Sequence, residues 1–304
     1  MGIPILEVRN LVRWGNNIAL KTPISFVLEA GDIGVVISQN LRSSANLLRT
    51  VAGIQASRHN DISIGAHINT SSGAKYLLGV VPDKSEFYEE LTVWEQLAIS
   101  AELYNVDKHY RPYAIYEALE TAQIAQYKDE QIAKISDPSL RKRISIAGAL
   151  VHSPRLLVIE DLFRGSDFRN WQKIIDILNQ IRNTGKAILL SSENLLNLNL
   201  LYSQLFIVGE NEVFVHGLYP QIVQEIGQYN LVQLQIWDTG IDDAIICLNE
   251  SPDVFDVLQK EDDPGVLRFF FKGDSGKLQN LVSTLKSNNI PIISCLAVDN
   301  FFGR

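Results

Sequence analysis

The chain has 304 residues, with 27 Lys+Arg against 35 Asp+Glu, a net charge of −8, 46% apolar residues and 20% charged ones. Those proportions exclude a disordered chain, a collagen-like repeat and a coiled coil, and no stretch is basic enough to track a nucleic-acid backbone. The charge is uneven: residues 231–304 hold 6 basic and 11 acidic side chains, so −5 of the −8 lies in a tail that reads as a separate module. No apolar run nears the roughly 18 to 20 residues that cross a bilayer, and MGIPILEVRN lacks the regions of a signal peptide, which predicts a cytoplasmic chain. Cys247 and Cys295 read as buried thiols of a reducing compartment, and the five histidines show no paired metal-ligand spacing.

Residues 6–32 alternate apolar and polar side chains around turns at Gly15-Asn16-Asn17 and Ala30-Gly31-Asp32, which predicts a hairpin. Gly34 to Ser38 is a short apolar run; a polar loop follows, then helical spacing of Leu47, Leu48, Val51 and Ala52 ended by Gly53. Strand, loop and helix in that order frame a phosphate-binding loop. Residues 92–134 read as helices, the first capped by Thr92, and a third helix follows Ser136-Asp137-Pro138. Continuous apolar runs at 155–159 and 187–190 flank a helix around 169–183, as buried parallel strands do. From residue 231 the order strand, helix, strand, turn, strand, helix, strand predicts a small α+β ferredoxin-like domain, with Gly227 to Asn230 as linker.

The landmarks VRWG (12–15), 31–54, 79–97, 136–167 and AILLSSEN (187–194) keep an order and spacing that resemble the nucleotide-binding subunits of ATP-binding cassette (ABC) transporters. The resemblance covers nearly the whole chain. It is most similar to exporter ATPases that carry a C-terminal regulatory domain, and VDNFF at the end resembles the final helix of such a domain. It implies an α/β P-loop NTPase fold over 1–228, with a helical insert at about 92–150, and a regulatory domain over 231–304. It also implies ATP and Mg²⁺ as cofactors, a membrane permease subunit as partner, and a cytoplasmic place for this chain, peripheral on the inner face of the cell membrane. The cassette is expected to pair as a homodimer or as a heterodimer with another ABC ATPase.

Several positions depart from the family pattern. Where the family's phosphate loop reads GPNGAGKST, this chain has Ser38, Gln39, Asn40, Leu41, Arg42, Ser43, Ser44, Ala45 and Asn46. Ser44 replaces the phosphate lysine and Ala45 the magnesium hydroxyl, and a nest without glycine is costly. Losing both contacts is expected to weaken phosphate binding by roughly 10² to 10⁴-fold. Arg42 is the candidate substitute charge. The metal-strand acids are exchanged, Glu160 then Asp161, which leaves Glu160 as a weak metal ligand and Asp161 a methylene short of the attacking water.

Asp83 stands for the family's glutamine and Glu193 for its switch histidine, where a carboxylate repels phosphate. The signature falls at Ser136, Asp137, Pro138, Ser139 and Leu140, where Asp137 caps the helix end a partner's phosphate needs. Trp14 matches the adenine-stacking aromatic, Asp167 the dimer loop, and Glu86, Phe87 and Tyr88 the permease contact. The expected function is a catalytically degenerate ABC subunit acting as a structural or regulatory partner. Two further readings stand beside it: an ATPase working with non-standard residues, and a ligand- or partner-binding module built on the tail.

Overall fold

The computed structural model describes residues 3–15, 18–39, 41–55, 61–163, 168–192, 202–218, 228–237, 240–260 and 263–298. Strands β1 (Leu6–Trp14) and β2 (Ile18–Leu28) form the expected antiparallel hairpin and are joined by β4 (Ile62–Ile64) and β5 (His67–Ile68) in the order β2-β1-β4-β5. A second sheet has six strands: β3 (Ile33–Ile37), β6 (Leu78–Val81), β7 (Leu156–Ile159), β8 (Ala187–Ser192), β9 (Gln204–Val208) and β10 (Val213–Leu218). Its order is β10-β9-β3-β8-β7-β6, parallel except for the β9–β10 hairpin. Every residue of β3, β7, β8 and β9 is buried, the pattern of strands covered on both faces. The sequence reading did not distinguish β9, β10 or the short helix α2 (Ser72–Leu77).

Helix α1 (Leu41–Val51) lies between the two sheets with Leu47, Leu48 and Val51 fully enclosed. Gly53 ends it at φ +69°, and a Cβ there would stand 2.7 Å from the carbonyl oxygen of Asn69, so only glycine closes this turn without strain. The opposite face of the large sheet carries the helical insert: α3 (Val93–Leu103), α4 (Arg111–Thr121) and α5 (Pro138–Leu150), with α6 (Phe168–Asn183) beside them. Thr92 and Glu95 close α3 with a reciprocal capping box, as the Thr92 cap predicted.

The tail forms its own antiparallel sheet from β11 (Tyr229–Ile236), β12 (Val254–Lys260), β13 (Asp263–Lys272) and β14 (Ile292–Val298), with α7 (Ile241–Glu250) and α8 (Ser275–Ser287). The order β12-β13-β11-β14 is the ferredoxin-like arrangement that the element sequence predicted. Two boundaries differ from that reading. Tyr229 and Asn230, read as linker, already pair with Lys272 and Phe271, and β13 begins at Asp263, inside the expected turn. Cross-strand pairing to an aromatic-rich neighbour outweighs local turn composition at both places. VDNFF lies outside the described residues except Val298. Cys247 and Cys295 are free and half-buried.

The tail sheet packs on the β10 edge of the cassette through aromatic rings. Phe214 lies 5.1 Å from Phe270 and 5.7 Å from Phe255, centroid to centroid, and Tyr229 donates its hydroxyl to the Phe214 carbonyl at 3.4 Å. Among the described residues no helix is long and apolar enough to cross a membrane.

Candidate nucleotide site

In an open parallel sheet the loops after the strands gather along one edge, where such folds bind ligands. Here the ends of β3, β6, β7 and β8 deliver Ser38, Asp83, Glu160 with Asp161, and Ser192 to that edge. Glu160 and Asp161 are both buried, at 3% and 4% exposure. The Glu160 N–H donates to the Val81 carbonyl at 2.8 Å, and the Asp161 N–H donates to Ser191 Oγ at 2.9 Å. Asp161 holds φ at 43°, in the left-handed region, so the chain turns sharply immediately after the strand.

A burial of acid this deep requires a counter-charge. It comes from Arg49, in the last turn of α1, whose Nε and Nη2 donate to Glu160 Oε1 and Oε2 at 2.8 and 2.7 Å. The fork is bidentate, the strongest geometry for this pair. The hydrogen bond to Glu160 raises the Arg49 guanidinium above its ordinary range, burial opposes that shift, and the charges of Glu160 and Asp83 reinforce it. A second cation, the buried Lys142 ammonium of α5, donates to the carbonyls of Glu160, Pro82 and Asp83 at 3.0, 3.1 and 3.3 Å. One charge thereby ties the ends of β6 and β7 to the helical insert. Neither Arg49 nor Lys142 was singled out from the sequence. The available signals were a basic residue closing a helix that starts at the loop, and the Arg141-Lys142-Arg143 run beside the signature.

The loop itself differs from the expected loop followed by a helix from about Leu47. Helix α1 already begins at Leu41, so Leu41 to Asn46 are helical rather than a cradle. Leu, Arg, Ser, Ala and Asn favour or tolerate helix, and with no glycine present none of the described residues from 38 to 46 takes a positive φ. Arg42 is exposed, Ser43 and Ser44 are buried, and Ala45 and Asn46 are half-buried. The Asn46 amide fills the space over Gly15, where a Cβ would lie 2.7 Å from its Cγ.

Trp14 requires a correction. The ring expected to stack on a base is fully enclosed between the sheets, and its Nε1 donates to the Glu210 carbonyl at 3.0 Å. A large apolar surface at a strand end gains more from core burial than from exposure, so Trp14 serves packing in this conformation.

At the signature, Asp137 caps α5 as expected: its carboxylate accepts the Ser139 N–H at 2.9 Å, with Pro138 in the first turn. Ser139 and Leu140 are buried while Ser136, Asp137 and Pro138 are exposed. Replacing Asp137 by alanine is expected to cost about 1 kcal/mol of stability, read as a shift of the urea midpoint at constant m. An unchanged midpoint would show that the cap is not used.

Beside this helix lies a groove lined by Ser85, Glu86, Phe87, Gln96, Ser100 and Tyr104. Arg141 lies 5.2 Å over the Phe87 ring and pairs with Glu89, and Tyr88 is 57% exposed. Of the expected site residues, Asn40, Asp167 and Glu193 lie outside the described residues. Among the described residues no group of three or more His, Cys, Asp and Glu is placed to hold a metal ion.

Solved structures share this architecture. The ATP-binding subunit of an ABC transporter superposes with a TM-score of 0.63 at 21% identity, over 73% of this chain and 93% of that one. The cbiO1 protein of Clostridium perfringens, part of the ABC transporter complex cbiONQ, gives 0.64 at 19% identity, over 73% and 92%. The chain has the P-loop ABC ATPase fold. Its curated relatives include ATP-binding proteins, several of them of ABC transporters. The linearmycin resistance ATP-binding protein LnrL of Bacillus subtilis is 22% identical over 260 residues, 84% of this chain and 83% of the relative. An uncharacterized ABC transporter ATP-binding protein of Methanocaldococcus jannaschii is 22% identical over 261 residues, 85% and 95%. No family model matches the chain.

Proposed function

We propose that this chain is a cassette subunit of an ABC transporter that acts as a structural or regulatory partner and hydrolyses ATP weakly or not at all. The observation that carries this reading is the Arg49 fork on Glu160. The carboxylate at the metal-strand position already has both oxygens engaged by a guanidinium, at 2.8 and 2.7 Å. Magnesium requires oxygen donors in near-octahedral array and commonly draws on a free carboxylate and a hydroxyl. Here Glu160 is committed, Ala45 offers no hydroxyl, and the loop that should wrap phosphate is helix from Leu41. These residues do not fit a magnesium–nucleotide centre. Arg49 supplies permanently the positive charge that a metal supplies transiently, and Lys142 braces the same strand ends.

In this reading residues 1–228 form the cassette and 231–304 a regulatory domain. The subunit pairs with itself or with a second cassette at the membrane's inner face, and Glu86, Phe87 and Tyr88 beside their groove receive the permease. A second reading, an active ATPase, is favoured by the persistence of two buried acids, Glu160 and Asp161, at the strand end. Affinity purification of the tagged chain from its native membrane tests the assembly. Co-elution of a multi-span permease with a cassette dimer, reduced at least several-fold by substituting Phe87 and Tyr88 with serine, is the expected result. Elution with no membrane protein contradicts it.

A further inference from the structure

The tail domain touches the phosphate-loop side of the cassette through one acidic residue. Asp256 sits where β12 loses register with β13 between Phe255 and Leu258, with φ at 52°. Such a bulge re-aims a side chain, here out of the tail sheet and into the seam between the modules. Its Oδ1 accepts the Glu210 N–H at 3.2 Å, and its carbonyl accepts Gln39 Nε2, from the phosphate-loop segment, at 3.0 Å. Gly209 makes the approach possible, since a Cβ there would stand 2.8 Å from Asp256 Oδ1. Asp256 Oδ2 and Gln39 Oε1 are buried without a hydrogen-bond partner. The Glu210 carbonyl in turn holds the Trp14 indole, so a single residue of the tail bears on both the loop and the strand end beside it.

We propose that Asp256 is a proton-operated latch: its un-ionised carboxyl seats the tail domain against the phosphate-loop segment, and its ionisation loosens that seat. An ionised carboxylate here would be enclosed near apolar rings with one N–H donor, a situation proteins avoid. The charged groups facing it are Glu210 and Glu212 from the β9–β10 turn, which repel it, and Lys21 of β2, which attracts it. Lys21 is itself largely exposed and paired with Glu212 at 3.2 Å. Burial is the largest influence, and with the two glutamates it pushes the Asp256 carboxyl up to about 7 against the single N–H and Lys21.

The sign follows. The seated carboxyl holds its proton more tightly than the ordinary value of about 3.9 of a released one. The proton's contribution to seating is therefore full below about pH 4 and falls away as pH rises toward about 7, beyond which the equilibrium is constant. Between about pH 5.5 and 8.5 the seating equilibrium falls roughly thirty-fold. This latch is independent of whether the cassette turns over ATP.

The test uses the full chain and two readouts. A ¹³C NMR titration of the Asp256 carboxyl carbon is expected to show a midpoint near 7. The hydrogen-exchange protection of the Glu210 amide, corrected for its intrinsic rate, is expected to fall roughly thirty-fold over that pH range and to stay flat in Asp256→Asn. A carboxyl midpoint below about 5, or the same pH dependence in Asp256→Asn, overturns the proposal. The wild-type titration decides alone if the variant does not fold.

Discussion

Replacing Arg49 by methionine will lower stability by about 2–4 kcal/mol, and adding Glu160→Gln to that variant will restore much of the loss. The asymmetry between the partners sets the size. The Glu160 side chain is 4% exposed and has both oxygens on Arg49, whereas the Arg49 side chain is 41% exposed. Removing the cation leaves a buried carboxylate without its counter-charge, while removing the acid leaves a guanidinium that water can reach. Arg49→Met should therefore cost clearly more than Glu160→Gln. The double variant should be more stable than the sum predicts, with a coupling of about 1–3 kcal/mol. Urea denaturation of the four proteins, followed by far-UV circular dichroism, checks this. A neutral Arg49→Met, or strictly additive losses, would show that the fork does not hold the site together.

Much of this fold is legible in the sequence because its elements satisfy local and global requirements at once. The apolar runs that form β7 and β8 are short and flank a helix, as covered strands do, and Ser-Asp-Pro before Ser139 is a helix start by capping chemistry alone. The tail's element order likewise implied its sheet order. The site was less legible, for reasons of distance. Arg49 and Glu160 are 111 residues apart, and nothing in either neighbourhood signals that one neutralises the other. Lys142 reads as a surface charge until α5 folds against β6 and β7. Trp14 matches the family's adenine-stacking aromatic by position alone, whereas the hairpin and α1 close over it. The altered letters at 38–46 showed that a phosphate nest would be costly, but not that the helix would extend back to Leu41.

The second large effect concerns turnover. Hydrolysis by this architecture requires phosphate held by backbone donors and a lysine, a metal held by a hydroxyl and a carboxylate, and a base placed for the attacking water. On the proposed reading, the positions that would do this are a helix from Leu41, a Glu160 carboxylate forked to Arg49, and Asp161 turned at φ 43°. Each change acts on positioning, and misplacement by about 1 Å alone costs on the order of 10²-fold. The combined loss is expected to exceed 10²-fold relative to the roughly 10 s⁻¹ typical of enzymes. Adding a lysine through Ser44→Lys should not recover it, because Glu160 remains committed to Arg49.

The most direct test is steady-state ATP hydrolysis by the purified full chain with Mg²⁺, run beside Asp161→Asn as the baseline. A rate below about 0.1 s⁻¹ that the variant does not lower is the predicted result. Magnesium-dependent turnover on the order of 1–10 s⁻¹, abolished by Asp161→Asn, would contradict the account.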